Sequence, residues 1–100
     1  MSNSATTQAQ SESEIMLGAY SVYTSKIDAS ASEAFQEALH GFVGVSYSAV
    51  AVSQQIVNGT NYHFFCNTKL ITQFPVNGCA IVSIYKPLEG KAHITRIQNI

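Results

Sequence analysis

Residues 45–70 of this 100-residue chain read VSYSAVAVSQQIVNGTNYHFFCNTKL, and this stretch decides the fold. Apolar and polar residues alternate on both sides of Asn58-Gly59, as they do in strands that bury one face. Asn-Gly between two such runs is a strong hairpin signal, because a type I′ turn needs positive φ at both central residues. The stretch therefore predicts two antiparallel strands joined at Asn58-Gly59.

The same alternation predicts which side chains of the hairpin share a face. In the first strand one face carries Val50, Val52 and Ile56, and the other carries Ala49, Ala51 and Gln55. In the second strand the core face carries Tyr62, Phe64, Cys66 and Leu70, and the outer face carries His63, Phe65, Asn67 and Lys69. A helix is expected to cover the core face.

The period changes in residues 28–42, DASASEAFQEALHGF, which precede the hairpin. Apolar residues recur there every three and four positions, as an amphipathic helix requires: Ala31, Ala34, Phe35, Ala38, Leu39 and Phe42. Ser30 and Glu33 have the spacing of a capping box, and Gly41 stands where a left-handed residue ends many helices. The pattern predicts one helix of about 11 residues.

Three further strands are expected around these elements. They lie in residues 15–27, IMLGAYSVYTSKI, in residues 79–85, CAIVSIY, and in residues 92–100, AHITRIQNI. The predicted fold class is α+β, with an antiparallel five-stranded sheet wrapped across one α-helix. Residues 1–14 are polar and are expected to form a disordered tail, and residues 15–100 are expected to form one domain.

Composition narrows the classes of partner. The formal charge is −1 and only 11% of residues are charged, which is too little positive charge for a nucleic-acid surface. The N-terminal residues lack the pattern of a secretory signal, and no apolar run is long enough to span a membrane. These features predict no nucleic-acid or membrane partner, and they favour the cytoplasm.

Three separate motifs resemble those of the cystatins, which inhibit papain-like cysteine proteases. The residues QIVNG, Gln55 to Gly59, match the Gln-x-Val-x-Gly first hairpin of that family. Gly18 in MLGAY is similar to the cystatin trunk glycine, and Pro87-Leu88 occupies the position of the second hairpin. The resemblance covers residues 16–100 and is nearer to the intracellular stefin type, because the chain has no Trp and lacks the C-terminal disulfide partner of secreted cystatins.

The resemblance implies a cystatin-like fold and a function without catalysis or cofactor. In cystatins the trunk and two hairpins form a wedge that fills the protease cleft and excludes substrate. The residues implied to bind the protease are Gly18, Gln55, Ile56, Val57, Asn58, Gly59, Pro87 and Leu88. The implied partner is a papain-like cysteine protease, and the implied state is a monomer or a domain-swapped dimer.

Other interpretations remain open at this stage. The Asn58-Gly59 turn is compatible with a purely structural role, and the scaffold with a non-inhibitory interaction or self-association module. A small enzyme with a cavity between helix and sheet is disfavoured, because the inward positions carry no polar cluster. Cys66 and Cys79 are predicted to be free thiols on opposite faces of neighbouring strands. The three histidines, His40, His63 and His93, are predicted to be solvated. No spacing of Cys and His residues suggests a metal site.

Overall fold

A computed structural model describes residues 18–100 of the protein, which form one helix and a four-stranded antiparallel sheet. The elements are α1 Ala29–Ala38, β1 Val45–Val57, β2 Gly59–Leu70, β3 Asn77–Lys86 and β4 His93–Asn99. The strands are ordered β1-β2-β3-β4, so each pairs with its neighbour in the chain. The α+β class and the antiparallel arrangement are confirmed. The predicted tail, residues 1–14, and residues 15–17 of the predicted first strand lie outside the described residues.

The prediction of a fifth strand is wrong within residues 18–27. This segment runs antiparallel to β1 but forms only two isolated bridges, Tyr20 with Gln55 and Thr24 with Val52. Between the bridges, the Ser21 hydroxyl accepts the Gln54 N–H at 3.0 Å, a bond that a regular ladder would make with a carbonyl. Serine side chains readily compete with backbone pairing in this way, and the competition explains the interruption.

The segment is held to the sheet by side chains as well. The Ser53 hydroxyl donates to the Ser21 carbonyl at 2.5 Å. The Tyr20 ring stacks on His63 of β2, with ring centroids 4.2 Å apart. His63 is therefore partly covered, and this desolvation lowers its pKa. His63 lies on the outer face of the sheet but is less solvated than predicted.

Helix α1 begins two residues earlier than the predicted capping box. The N-cap is Asp28, whose Oδ1 accepts the Ala31 N–H at 2.8 Å. Asp and Ser are both good N-cap residues, so the sequence DASAS offers two starts and the first is used. The helix buries Ala31 and Ala34 against the sheet, and Phe35 packs on Phe64 with ring centroids 4.8 Å apart.

A β-bulge divides β1 into two halves that differ in which residues face the helix. The pairing register with β2 shifts between Ala49 and Ala51. Before the shift Tyr47 and Ala49 pack against the core, and after it Val52 is buried. Val50, the extra residue, is 40% exposed, so its predicted place beside Val52 is wrong. One inserted residue reverses the faces of everything that precedes it.

The core lies between α1 and one face of the sheet. Tyr62, Phe64 and Cys66 of β2 are buried, as the alternation predicts. Leu70 is 41% exposed, because it pairs with Val45 where the hairpin ends, beyond the buried cluster. The remaining members of the buried cluster are Ala31, Ala34, Val52, Val82, Ile84 and Ala92.

The two cysteines behave as predicted. Cys79 pairs with Asn67, while Cys66 pairs with Ala80, so the sulfur atoms lie on opposite faces of the sheet. Both cysteines are free. Burial raises the pKa of the Cys66 thiol to about 11.

Within residues 18–100, no helix has the length and apolar character needed to cross a membrane.

Candidate functional site

The three segments picked out by the sequence meet at one end of the sheet. This end, called here the tip, consists of Gly18, the first turn at residues 55–59 and the second turn at residues 86–90. The trunk is joined to the first hairpin by two hydrogen bonds. The Gly18 N–H donates to the Ile56 carbonyl at 2.9 Å, and Gln55 Nε2 donates to the Gly18 carbonyl at 3.1 Å.

Gln55 links the trunk to two strands of the sheet. Its Nε2 binds Gly18, and its Oε1 accepts a hydrogen bond from Asn61 Nδ2 of β2 at 2.9 Å. Both ends of the amide are therefore occupied inside the protein. Gln55 fixes the direction in which the chain enters the tip, and Asn61 is a supporting residue that the sequence reasoning missed.

The first turn is tighter than the predicted type I′ turn. Val57 pairs directly with Gly59, and Asn58 alone forms the apex. Gly59 has φ +110°, whereas no non-glycine residue of the described chain has positive φ. The prediction of positive φ at both central positions is therefore wrong for Asn58.

Gly59 is buried because the second turn packs directly against it. A Cβ atom at Gly59 would lie 2.5 Å from the Lys86 carbonyl oxygen, 2.8 Å from the Tyr85 hydroxyl and 3.1 Å from the Pro87 Cα. The Tyr85 hydroxyl also donates a hydrogen bond to the Asn58 carbonyl. Glycine thus lets the two turns of the tip touch through backbone atoms. Tyr85 was not predicted, since an aromatic residue within an apolar strand gives no local sign of this role.

The second turn is closed by Lys86. Its Nζ donates to the Gly90 carbonyl at 2.7 Å and to the Pro87 carbonyl at 3.3 Å. The turn presents Leu88 to solvent, with 74% of the side chain exposed. The sequence reasoning also missed Lys86. Its only signal is a lysine next to the Pro-Leu-Glu-Gly turn.

The tip exposes the apolar side chains of Val57 and Leu88, and the polar Asn58 and charged Glu89 are exposed beside them. Val57 is 38% exposed beside the apex, and Leu88 is 74% exposed in the second turn. Ile56 and Pro87 are partly buried beneath them, and Asn58 is exposed. Such a surface offers shape and apolar contact to another protein, with the turn conformations already fixed.

A groove of about 460 Å³ lies between α1 and the tip. Glu33 and Glu37 of the helix line one side, and Lys86 and Leu88 line the other. Glu37 Oε1 accepts the Ala92 N–H at 2.7 Å, which ties the helix to the chain that leads into β4. The described residues contain no group of three or more His, Cys, Asp or Glu side chains suited to a metal ion.

Comparison of the chain with protein families, characterised proteins and solved structures gives no match. The likeness to the cystatins rests on the three motifs, and the membership of that family stays a prediction.

Proposed function

We propose that the protein is a reversible steric inhibitor of papain-like cysteine proteases with a cystatin-like, stefin-like fold. One observation carries the proposal: Gly18, the first turn and the second turn, far apart in the sequence, meet at one end of the sheet. A wedge needs this convergence. If any of the three segments lay at another end of the molecule, they could not enter one cleft together.

The chemistry of the tip suits a cleft that binds extended peptides. Val57 and Leu88 supply exposed apolar side chains, and Gly59 lets the two turns that carry them pack closely together. The tip exposes neither a thiol nor an imidazole. Inhibition would therefore come from filling the cleft, with no covalent bond to the protease.

The rigidity of the tip favours binding. Hydrogen bonds from Gln55, Tyr85 and Lys86 hold the turns before any partner arrives. Turns that are already ordered lose less conformational entropy on association. The absence of Trp removes one large aromatic anchor, so apolar contact must come chiefly from Val57 and Leu88.

Titration of papain with the full chain tests this proposal. We expect reversible inhibition that is competitive with substrate and is weakened at least about tenfold by Val57→Asp, because a carboxylate would be buried in an apolar subsite. Val76→Asp is the matched control, since Val76 is 59% exposed in the loop between β2 and β3 at the opposite end. Equal inhibition by both variants, or none by the wild-type chain, would exclude the wedge.

Self-association is a second candidate function, and a different observation favours it. One half of β1 has no neighbouring strand on its outer side within residues 18–100. This half lies at the end of β1 away from the tip. Self-association through it would leave the tip free, so the two functions do not exclude each other.

A further inference from the structure

The outer edge of β1 is paired only near the tip. Residues 18–24 bind Val52, Gln54 and Ile56 of β1 through backbone hydrogen bonds. From Val45 to Ala51 the described chain places no strand or bridge on this edge. A strand edge of this kind presents unpaired N–H and C=O groups, and its natural occupant is another extended strand.

The register shows which backbone groups are free. The Gly44 carbonyl accepts the Ile71 N–H at 2.9 Å, so Gly44 points toward β2. Because successive residues of a strand point to opposite edges, Val45, Tyr47 and Ala49 point away from β2. The bulge at Val50 then reverses the alternation, and this agrees with Val52 pointing outward to Thr24.

This edge lacks the usual protection against pairing. Residues 43–57, VGVSYSAVAVSQQIV, contain no charged residue and no proline. Charged side chains and prolines are the common means by which edge strands avoid one another. The opposite edge strand, β4, carries Arg96 among its exposed residues. Of the two edges, β1 is the one suited to meet a copy of itself.

We infer that the free half of β1 pairs antiparallel with the same half of a second copy, centred on Tyr47. The inference deepens the second candidate function and rests on it. It makes no use of the tip. Pairing about Tyr47 sets Val45 of each copy opposite Ala49 of the other, and it joins two four-stranded sheets into one.

The proposed seam is complementary in hydrogen bonds. Val45, Tyr47 and Ala49 would form three hydrogen-bonded pairs with their counterparts, which amounts to about six backbone hydrogen bonds. Each copy supplies donors and acceptors in equal number. The bulge at Val50 and the bridge at Thr24 close the edge beyond Ala51. A register centred on Ser46 or Ser48 would leave only two such pairs between strand residues, so the register centred on Tyr47 makes the most hydrogen bonds.

The side chains of the seam are also compatible. On the outer face Ser46 would lie opposite Ser48 of the second copy, and the reverse pair repeats this contact. Hydroxyl groups can hydrogen-bond across such positions, and no like charges face each other. Tyr47 and Ala49, which are partly buried against the core, would continue that apolar face across the two copies.

Sedimentation of the full chain with charged variants tests the inference. We expect the wild type to dimerise at micromolar concentration. Ser46→Lys/Ser48→Lys should raise the dissociation constant about tenfold or more, because it sets lysines opposite each other at two places. Thr95→Lys/Asn99→Lys, at exposed positions of β4, adds the same charge and should leave the dimer intact.

The register is tested by cross-linking in a Cys79→Ser background. Ser46→Cys/Ser48→Cys should give a covalent dimer with oxidised glutathione, because opposed residues of this kind have Cα atoms about 4.5 Å apart. Ser48→Cys alone should give none, since the two copies of residue 48 are not opposed.

The outcomes separate the two levels of the inference. A monomeric wild type overturns self-association and the edge together. A dimer that resists the paired lysines, as a domain-swapped dimer would, overturns the edge and leaves self-association standing. Neither result bears on the papain titration.

Discussion

Replacing Gly59 by Ala tests the close contact between the two turns of the tip. Two separate effects destabilise this variant. At φ +110° an L-residue is strained, which costs about 1–2 kcal/mol. The new Cβ would also lie 2.5 Å from the Lys86 carbonyl oxygen, where ordinary contact begins at 3.4 Å. The turns must separate by the difference, and overpacking of this kind costs about 1–3 kcal/mol.

Gly44→Ala is the matched control, because it isolates the first effect. Gly44 has φ +93°, and a Cβ there meets nothing within 4 Å. Both variants gain about 0.4–1 kcal/mol from the reduced entropy of the unfolded chain. The free energy of unfolding should therefore fall by about 1–3 kcal/mol more in Gly59→Ala than in Gly44→Ala, which is the cost of the clash alone.

Urea unfolding followed by circular dichroism measures both free energies by linear extrapolation. Gly59→Ala should also weaken the inhibition of papain, since the second turn moves relative to the first. Equal unfolding midpoints for the two variants would show that the turns do not touch at Gly59, and the geometry of the tip would then be wrong.

Two further predictions concern groups away from the tip. Cys79 should react with Ellman's reagent in the native protein at pH 8. Cys66 should react only on unfolding, because it is fully buried and its thiol pKa is raised to about 11. Rapid reaction of two thiols per chain would contradict this packing. Burial under Tyr20 lowers the pKa of His63 below its usual 6.5. Well above pH 6.5 His63 is neutral in both states, and as the pH falls through 6.5 the unfolded chain takes up the proton first, so stability should fall as the pH drops from 7 to 5. His63→Phe should reduce this dependence in urea midpoints, and an unchanged dependence would count against the stacked arrangement.

The local periodicity of apolar residues predicted most of the fold. The three-four spacing located α1, and strict alternation placed Tyr62, Phe64 and Cys66 in the core. Alternation failed at Val50, because Ala49 to Val52 are all apolar and a run of this kind does not reveal a one-residue shift. It also overstated the first strand, where the hydroxyl of Ser21 replaces a backbone partner.

The sequence predicted only part of the tip. Gly18 and the two turns were named from motifs, but the bonds that gather them join residues far apart in the chain, such as Gly18 and Ile56. No local pattern specifies such pairs. Tyr85 was missed for the same reason, because its partner Asn58 lies in the other turn. Lys86 binds Gly90 within its own turn, and it was missed because a single lysine beside a turn is a weak signal.

The helix and the sheet differ greatly in length, and this shapes where the protein tolerates change. Ten residues of α1 span about 15 Å, whereas thirteen residues of β1 span about 43 Å. Both ends of the sheet therefore extend beyond the core that the helix covers. Apart from closely packed positions such as Gly59, replacements and length changes in the loops at either end of the sheet should leave the core intact. New contacts can therefore arise at both ends while the same small core keeps the chain folded.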